Sequence, residues 1–118
     1  MRNRIILASG SEIRREMLLN AGLDFVVEVA RIDEQSLKAS LLSENASPRD
    51  IADHLAEMKA LRVSRKFPGA IVIGSDQVLE HKGQILNKPE NMDAARAQLC
   101  QLRGEKHKLL SAAVVVKD

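Results

Sequence analysis

The chain has no Trp, no Tyr and only two Phe, so it lacks the aromatic platforms on which nucleic-acid modules stack bases. One cysteine, Cys100, excludes an internal disulfide and fits a cytoplasmic protein. Long hydrophobic runs are also missing. The apolar stretches at 5–8, 70–73 and 112–116 fall far short of the ~20 residues that span a bilayer, so no membrane role is expected. The basic start Met1-Arg2-Asn3-Arg4 precedes too few apolar residues for a signal peptide. Charge of one sign is scarce too. With 18 Lys and Arg against 16 Asp and Glu, the net charge of +2 gives no basis for nucleic acid as the main partner. What is present, 118 residues with 45% apolar and 29% charged, suits one globular domain over 1–118.

Strand and helix patterns alternate along the chain. Residues 4–8 read as a strand, punctuated by Ser9-Gly10-Ser11. Residues 12–21 read as a helix with Ile13 and Met17 inward and Gly22 as its stop. A second strand is expected at 25–29, then a polar loop containing Asp33-Glu34 and a short helix through Leu37, Leu41 and Leu42. Ser47-Pro48-Arg49-Asp50 is a strong helix start, and that helix should run to about Lys66 with Ile51, Ala52, Leu55, Met58 and Arg62 on its inner stripe. A buried strand is expected at 70–74. A hairpin with a Gly turn should pair Val78-Leu79 with Ile85-Leu86. A helix over 92–102, with Ala95, Leu99 and Leu102 inward and Cys100 packed, precedes a last strand at 109–116. The expected fold class is α/β, a mixed twisted sheet flanked by helices.

Five places have residues suited to phosphate or metal chemistry. The Ser9-Gly10-Ser11 loop opens a helix whose first turns carry Arg14 and Arg15. Free N–H groups and cations there suit a phosphate, although plain capping by Ser9 or Ser11 explains the same residues. Lys59 lies on the flank of the long helix's apolar stripe, where it either snorkels or meets an anion. Asp76, directly after the apolar run and Gly74-Ser75, sits where open α/β sheets place their ligands, or it simply forms a turn. Lys88 is stiffened by Pro89 and would make a phosphate clamp. One acid of Asp33-Glu34 beside Asp76 would be enough for Mg²⁺, which takes one or two carboxylates plus substrate phosphates. His54, His81 and His107 are dispersed and offer no zinc spacing.

Taken in order, Leu7-Ala8-Ser9-Gly10-Ser11 with Arg14, Ile32-Asp33-Glu34, Leu55-Ala56-x-x-Lys59-Ala60, Gly74-Ser75-Asp76-Gln77-Val78, Asn87-Lys88-Pro89 and Leu102-x-Gly104-x-x-His107 resemble the Maf family of nucleoside triphosphate pyrophosphatases, relatives of the inosine triphosphate pyrophosphatases. The resemblance implies hydrolysis between the α- and β-phosphates to a nucleoside monophosphate and pyrophosphate, with Mg²⁺ or Mn²⁺ as cofactor. It implies that Ser9 and Arg14 hold phosphate and that Glu34 and Asp76 bind metal, Asp76 otherwise serving as the base. Lys59 and Lys88 would neutralise the triphosphate, and Gln77 would lie at the base or ribose end. The Ser75-Asp76-Gln77 variant is similar to the branch associated with 7-methylguanosine triphosphate. A housecleaning role and a homodimer are also implied.

Two departures stand out. Family members read Ser-Pro-Arg-Arg where this chain has Ser11-Glu12-Ile13-Arg14, which leaves Arg15 as the second cation available. Family members also continue well beyond the equivalent of Val116, so the chain is expected to be the N-terminal portion of such an enzyme. A truncated, non-catalytic nucleotide-binding module is the alternative. A structural α/β domain that binds nothing is a third.

Overall fold

The computed structural model describes residues 4–117; the basic start Met1-Arg2-Asn3 lies outside them. The elements in chain order are β1 (Ile5–Leu7), α1 (Glu12–Asn20), β2 (Val26–Val27), α2 (Glu34–Ser43), α3 (Pro48–Ser64), β3 (Ile71–His81), β4 (Gln84–Leu86), α4 (Met92–Leu102) and β5 (Lys108–Lys117). The sheet runs β2-β1-β3-β4, with β5 also pairing β3. β1 is parallel to both β2 and β3, whereas β4 and β5 are antiparallel to β3. The expected mixed α/β fold is therefore present.

Each helix begins on a side chain that accepts an otherwise orphaned backbone N–H. Ser11 accepts from Arg14, Asp33 from Ser36, Ser47 from Asp50 and Asn91 from Ala94. Ser11, not Ser9, thus caps α1. β3 and β4 meet through Lys82 and Gly83 at φ of 53° and 79°, the left-handed pair that a two-residue turn between twisted strands requires.

The core lies between α3 and one face of the sheet. Ile51, Ala52, Leu55, Ala56, Ala60 and Val63 of α3 are buried, and they pack toward Ile6, Val72, Val78 and Ala112. The inner stripe differs in detail from the sequence expectation. Arg62 is exposed and Met58 only half-buried, because Ala56, Ala60 and Val63 turn the stripe away from them. Gly74 lets the helix come close: a Cβ there would lie 2.2 Å from the Ala56 carbonyl oxygen and 2.8 Å from the Ala60 Cβ. Glycine inside a strand marks such backbone approaches.

The other sheet face is sparsely covered. The stripes of α1 and α4 were expected to be inward, yet neither helix has a buried residue. Ile13 is 72% exposed, Leu99 is 69% exposed, and Cys100 is exposed rather than packed. α4 is tied instead by polar contacts. Buried His81 pairs with Glu105 just past the helix, Gln101 approaches the other His81 ring nitrogen at 3.4 Å, and Gln98 donates to the Asn87 carbonyl at 2.9 Å.

Candidate active site

Three elements converge beyond the carboxyl end of β1. β1 pairs with β3 only as far as Leu7 and Ile73, after which the Ala8 N–H donates to the Ile73 carbonyl at 2.8 Å and the chain turns away. β3 continues through Asp76, held on its other side by β5, with Asp76 opposite Ala112. This corrects the expectation that Asp76 follows the strand's end, because the strand runs to His81. Asp76 nevertheless sits just past the parallel part of the sheet, the position at which α/β sheets bind ligands.

Strand alternation decides which neighbours each side chain meets. Val72, Gly74, Asp76 and Val78 face α3, while Ile73, Ser75 and Gln77 line the opposite side. On the α3 side, the close approach at Gly74 brings Lys59 within reach of the strand. Its ammonium donates to Asp76 Oδ1 at 3.0 Å, pairs with Glu34 Oε1 at 2.6 Å, and lies 3.5 Å from the Ser75 carbonyl oxygen. The Lys59 and Asp76 side chains are only 14% and 11% exposed, and Glu34 is 41% exposed. Lys59 is therefore the case of an inward lysine with anionic partners.

The adjacent acids 33 and 34 divide their roles by helix geometry. Glu34 does not lie in an irregular loop, since α2 starts there, and Asp33 is the residue that ends the loop. Asp33 is the N-cap, accepting from the Ser36 N–H at 3.1 Å and the Ser36 hydroxyl at 2.8 Å. These bonds, the backbone one foremost, hold its carboxyl below the usual aspartate range. Glu34, one residue on, turns toward Lys59.

Asp76 Oδ2 and Ser75 Oγ are buried with no hydrogen-bond partner among the described residues. A buried carboxylate oxygen without a donor is costly unless a ligand satisfies it. Two carboxylates opposed by one ammonium carry an excess of negative charge. That donor set, hard oxygens from Asp and Glu with one still free, fits Mg²⁺ or Mn²⁺. Among the described residues no cluster of three or more His, Cys, Asp or Glu is arranged to hold a metal, so substrate oxygens or water would have to complete the coordination.

At the β1–α1 junction, buried Ser9 accepts from the Ser11 N–H at 3.2 Å and from Arg14 Nη1 at 3.4 Å. Arg14 is thereby held at the loop that opens α1. Between α1 and the sheet lies a cavity of about 370 Å³, lined on its polar side by Arg14, Ser75, Asp76 and Gln77 and on its apolar side by Leu7, Ile13 and Met17. The structure thus brings Glu34, Lys59 and Asp76 together on one side of β3, with Arg14 and Gln77 at the adjoining cavity and Ser9 bonded to Arg14. Two predicted cations contact neither group among the described residues. Arg15 pairs across the surface with Glu12 at 3.7 Å, and exposed Lys88, in the β4–α4 connection, has no hydrogen bond or ion pair among the described residues.

Two participants escape the sequence reading. Gly74 is legible as a glycine interrupting an apolar strand, a known sign of close packing. Nothing in the sequence distinguishes Ser75 as the buried, unpartnered hydroxyl.

The family profile described as "Maf-like protein" matches residues 4–118. A relative from Ruegeria pomeroyi named nucleoside triphosphate pyrophosphatase is 54% identical over 114 residues, covering 97% of this chain and 57% of the relative. One of the same name from Roseobacter denitrificans is 58% identical over 114 residues, with the same coverage. A 7-methyl-GTP pyrophosphatase from Mesorhizobium japonicum is 48% identical over 118 residues, covering all of this chain and 59% of the relative. The chain therefore spans less than two thirds of the length of these curated relatives. Across that span, a family match from residue 4 to residue 118 and identities of about half leave one assignment: the chain belongs to the Maf-like family.

Proposed function

We propose that the chain carries the phosphate- and metal-handling part of a nucleoside triphosphate pyrophosphatase. The carrying observation is the trio of Lys59, Glu34 and Asp76 with Asp76 Oδ2 buried and unpartnered, set beside the Ser9–Arg14 loop. The names of the relatives support the same reading.

Water adds to the α-phosphorus, the bond from that phosphorus to the α–β bridging oxygen breaks, and pyrophosphate leaves. Such chemistry depends on charge stabilisation and alignment. Lys59 and Arg14 supply positive charge to the phosphate oxygens, with Ser9 fixing the Arg14 guanidinium. Glu34 and Asp76 would hold a divalent cation, which when bound polarises the phosphate and neutralises its charge. Asp76 Oδ2 is the atom available either to that cation or to the proton of the attacking water. Gln77, exposed at the cavity mouth, would lie at the base or ribose end.

The 7-methylguanosine preference rests on the Ser75-Asp76-Gln77 motif and on the relatives of that name. The test is pyrophosphate release from a panel of canonical and 7-methylated triphosphates with Mg²⁺ or Mn²⁺. Release of orthophosphate instead, or no release from this chain or from a form of full family length, sinks the proposal. The alternative is binding without turnover. It predicts nucleotide-dependent thermal stabilisation with no pyrophosphate.

A homodimer is supported by the exposed apolar side chains of Leu109 and Val115 on β5, and light scattering reads it directly. A cytoplasmic setting is supported by the lone Cys100, exposed and free, and no helix among the described residues is long and apolar enough to cross a membrane.

A further inference from the structure

We propose that Lys59 is a resident stand-in for the divalent cation: its ammonium holds the Glu34–Asp76 carboxylate pair until a metal ion displaces it, and it then serves the substrate. This rests on the pyrophosphatase reading for the second half of the exchange only.

The argument starts from how incompletely one ammonium satisfies this pair. Lys59 Nζ engages one oxygen of each acid, Glu34 Oε1 at 2.6 Å and Asp76 Oδ1 at 3.0 Å. Asp76 Oδ2 is left buried with no donor. An ammonium has one charge and points its N–H groups at single acceptors, whereas a divalent ion has two charges and can engage both carboxylates along with Oδ2. An ion at this pair would lie beside the ammonium and be repelled by it, so metal entry and lysine withdrawal are coupled. The withdrawal is feasible because Lys59 ends a flexible four-carbon stem. Without the ammonium, two carboxylates that share its nitrogen would face each other unscreened in a largely buried site. The lysine thus keeps the two acids together, and its departure supplies a cation for the phosphates.

A lysine whose ion pairs only stabilise the fold, with the divalent ion binding elsewhere, predicts unchanged or weaker metal binding when it is removed. A stand-in predicts the opposite. Mn²⁺ affinity of the chain is measured by calorimetry and electron paramagnetic resonance without nucleotide, which separates this test from the pyrophosphate assay. Lys59→Met keeps an unbranched stem and removes the charge, and Mn²⁺ should then bind tighter by on the order of tenfold. Lys59→Arg keeps the charge and should stay near the parent. Should Lys59→Met not fold cooperatively, Lys59→Gln is measured in its place. Equal or weaker Mn²⁺ affinity in a folded, uncharged variant overturns the proposal, as does tighter binding in Lys59→Arg equal to that in Lys59→Met.

Discussion

Replacing Gly74 by alanine sets one methyl group against the backbone of α3. The added Cβ would lie 2.2 Å from the Ala56 carbonyl oxygen, 2.8 Å from the Ala60 Cβ and 2.9 Å from the Ala60 nitrogen. Ordinary contact begins near 3.4 Å, so the helix must retreat by roughly 1.2 Å (3.4 − 2.2) at this point. No flexible side-chain tip is available to yield. Overpacking costs about 1–3 kcal/mol, and an obstacle made of backbone places this substitution at about 3 kcal/mol, or roughly 10 °C in Tm. The retreat also carries Lys59, one residue before Ala60, away from Asp76, stretching a 3.0 Å contact past hydrogen-bonding distance. A displacement of about 1 Å can cost ~100-fold in turnover. Gly10→Ala is the internal control: its Cβ would meet only Val29 methyls, at 3.7 and 3.9 Å, and should cost less than about 1 kcal/mol. Urea unfolding of both variants gives the comparison. If Gly74→Ala unfolded within about 0.5 kcal/mol of the parent, the close seat of α3 on β3 would be wrong, and with it the account of how Lys59 reaches the site.

Other expectations follow from the same geometry. Asp76→Asn should lower pyrophosphate release by at least ~100-fold while the protein still melts cooperatively, which parallel activity and calorimetric measurements would show. Glu34→Gln should weaken Mn²⁺ binding by calorimetry, because it removes one of two carboxylates; unchanged affinity would remove Glu34 from the metal set. Asp33 caps α2 as a carboxylate held below the usual aspartate range, so its stabilisation is complete above ~3.9 and fades as pH falls through the lowered value. Asp33→Ala should flatten that part of an acid-unfolding curve. His81→Ala should release α4, whose amides would exchange faster than those of α3 by hydrogen-exchange mass spectrometry; equal protection would mean that other contacts hold the helix.

Most element positions are legible in the sequence because caps and stops are local. Ser47-Pro48 and the Lys82-Gly83 turn act through their own backbone, and the structure places both where expected. The faces of α1 and α4 are less legible. Periodicity identifies Ile13, Met17 and Leu99 as one-sided but does not say what lies opposite, and they are exposed. Lys59 with Asp76 is half legible: a lysine on the flank of an apolar stripe either snorkels or meets an anion, and periodicity does not say which. Dividing Asp33 from Glu34 is not, because it turns on which residue begins α2. Lys88 illustrates the converse: a rigid local setting before Pro89 restricts its backbone, not what its side chain meets.

β3 also limits which lengths of chain can be tolerated, apart from which residues. Its alternate positions point to opposite sides of the strand, Asp76 toward Lys59 and Ser75 with Gln77 away from α3. Inserting or deleting one residue between Ile71 and Asp76 would exchange those faces, turning the carboxylate away from Lys59 and bringing a neutral side chain to the lysine. The pairing with β5, continuous from Ile71 to Glu80, leaves no slack to absorb the shift. Variation in length should therefore fall at the Lys82-Gly83 turn, and within the strand change should come only by replacement.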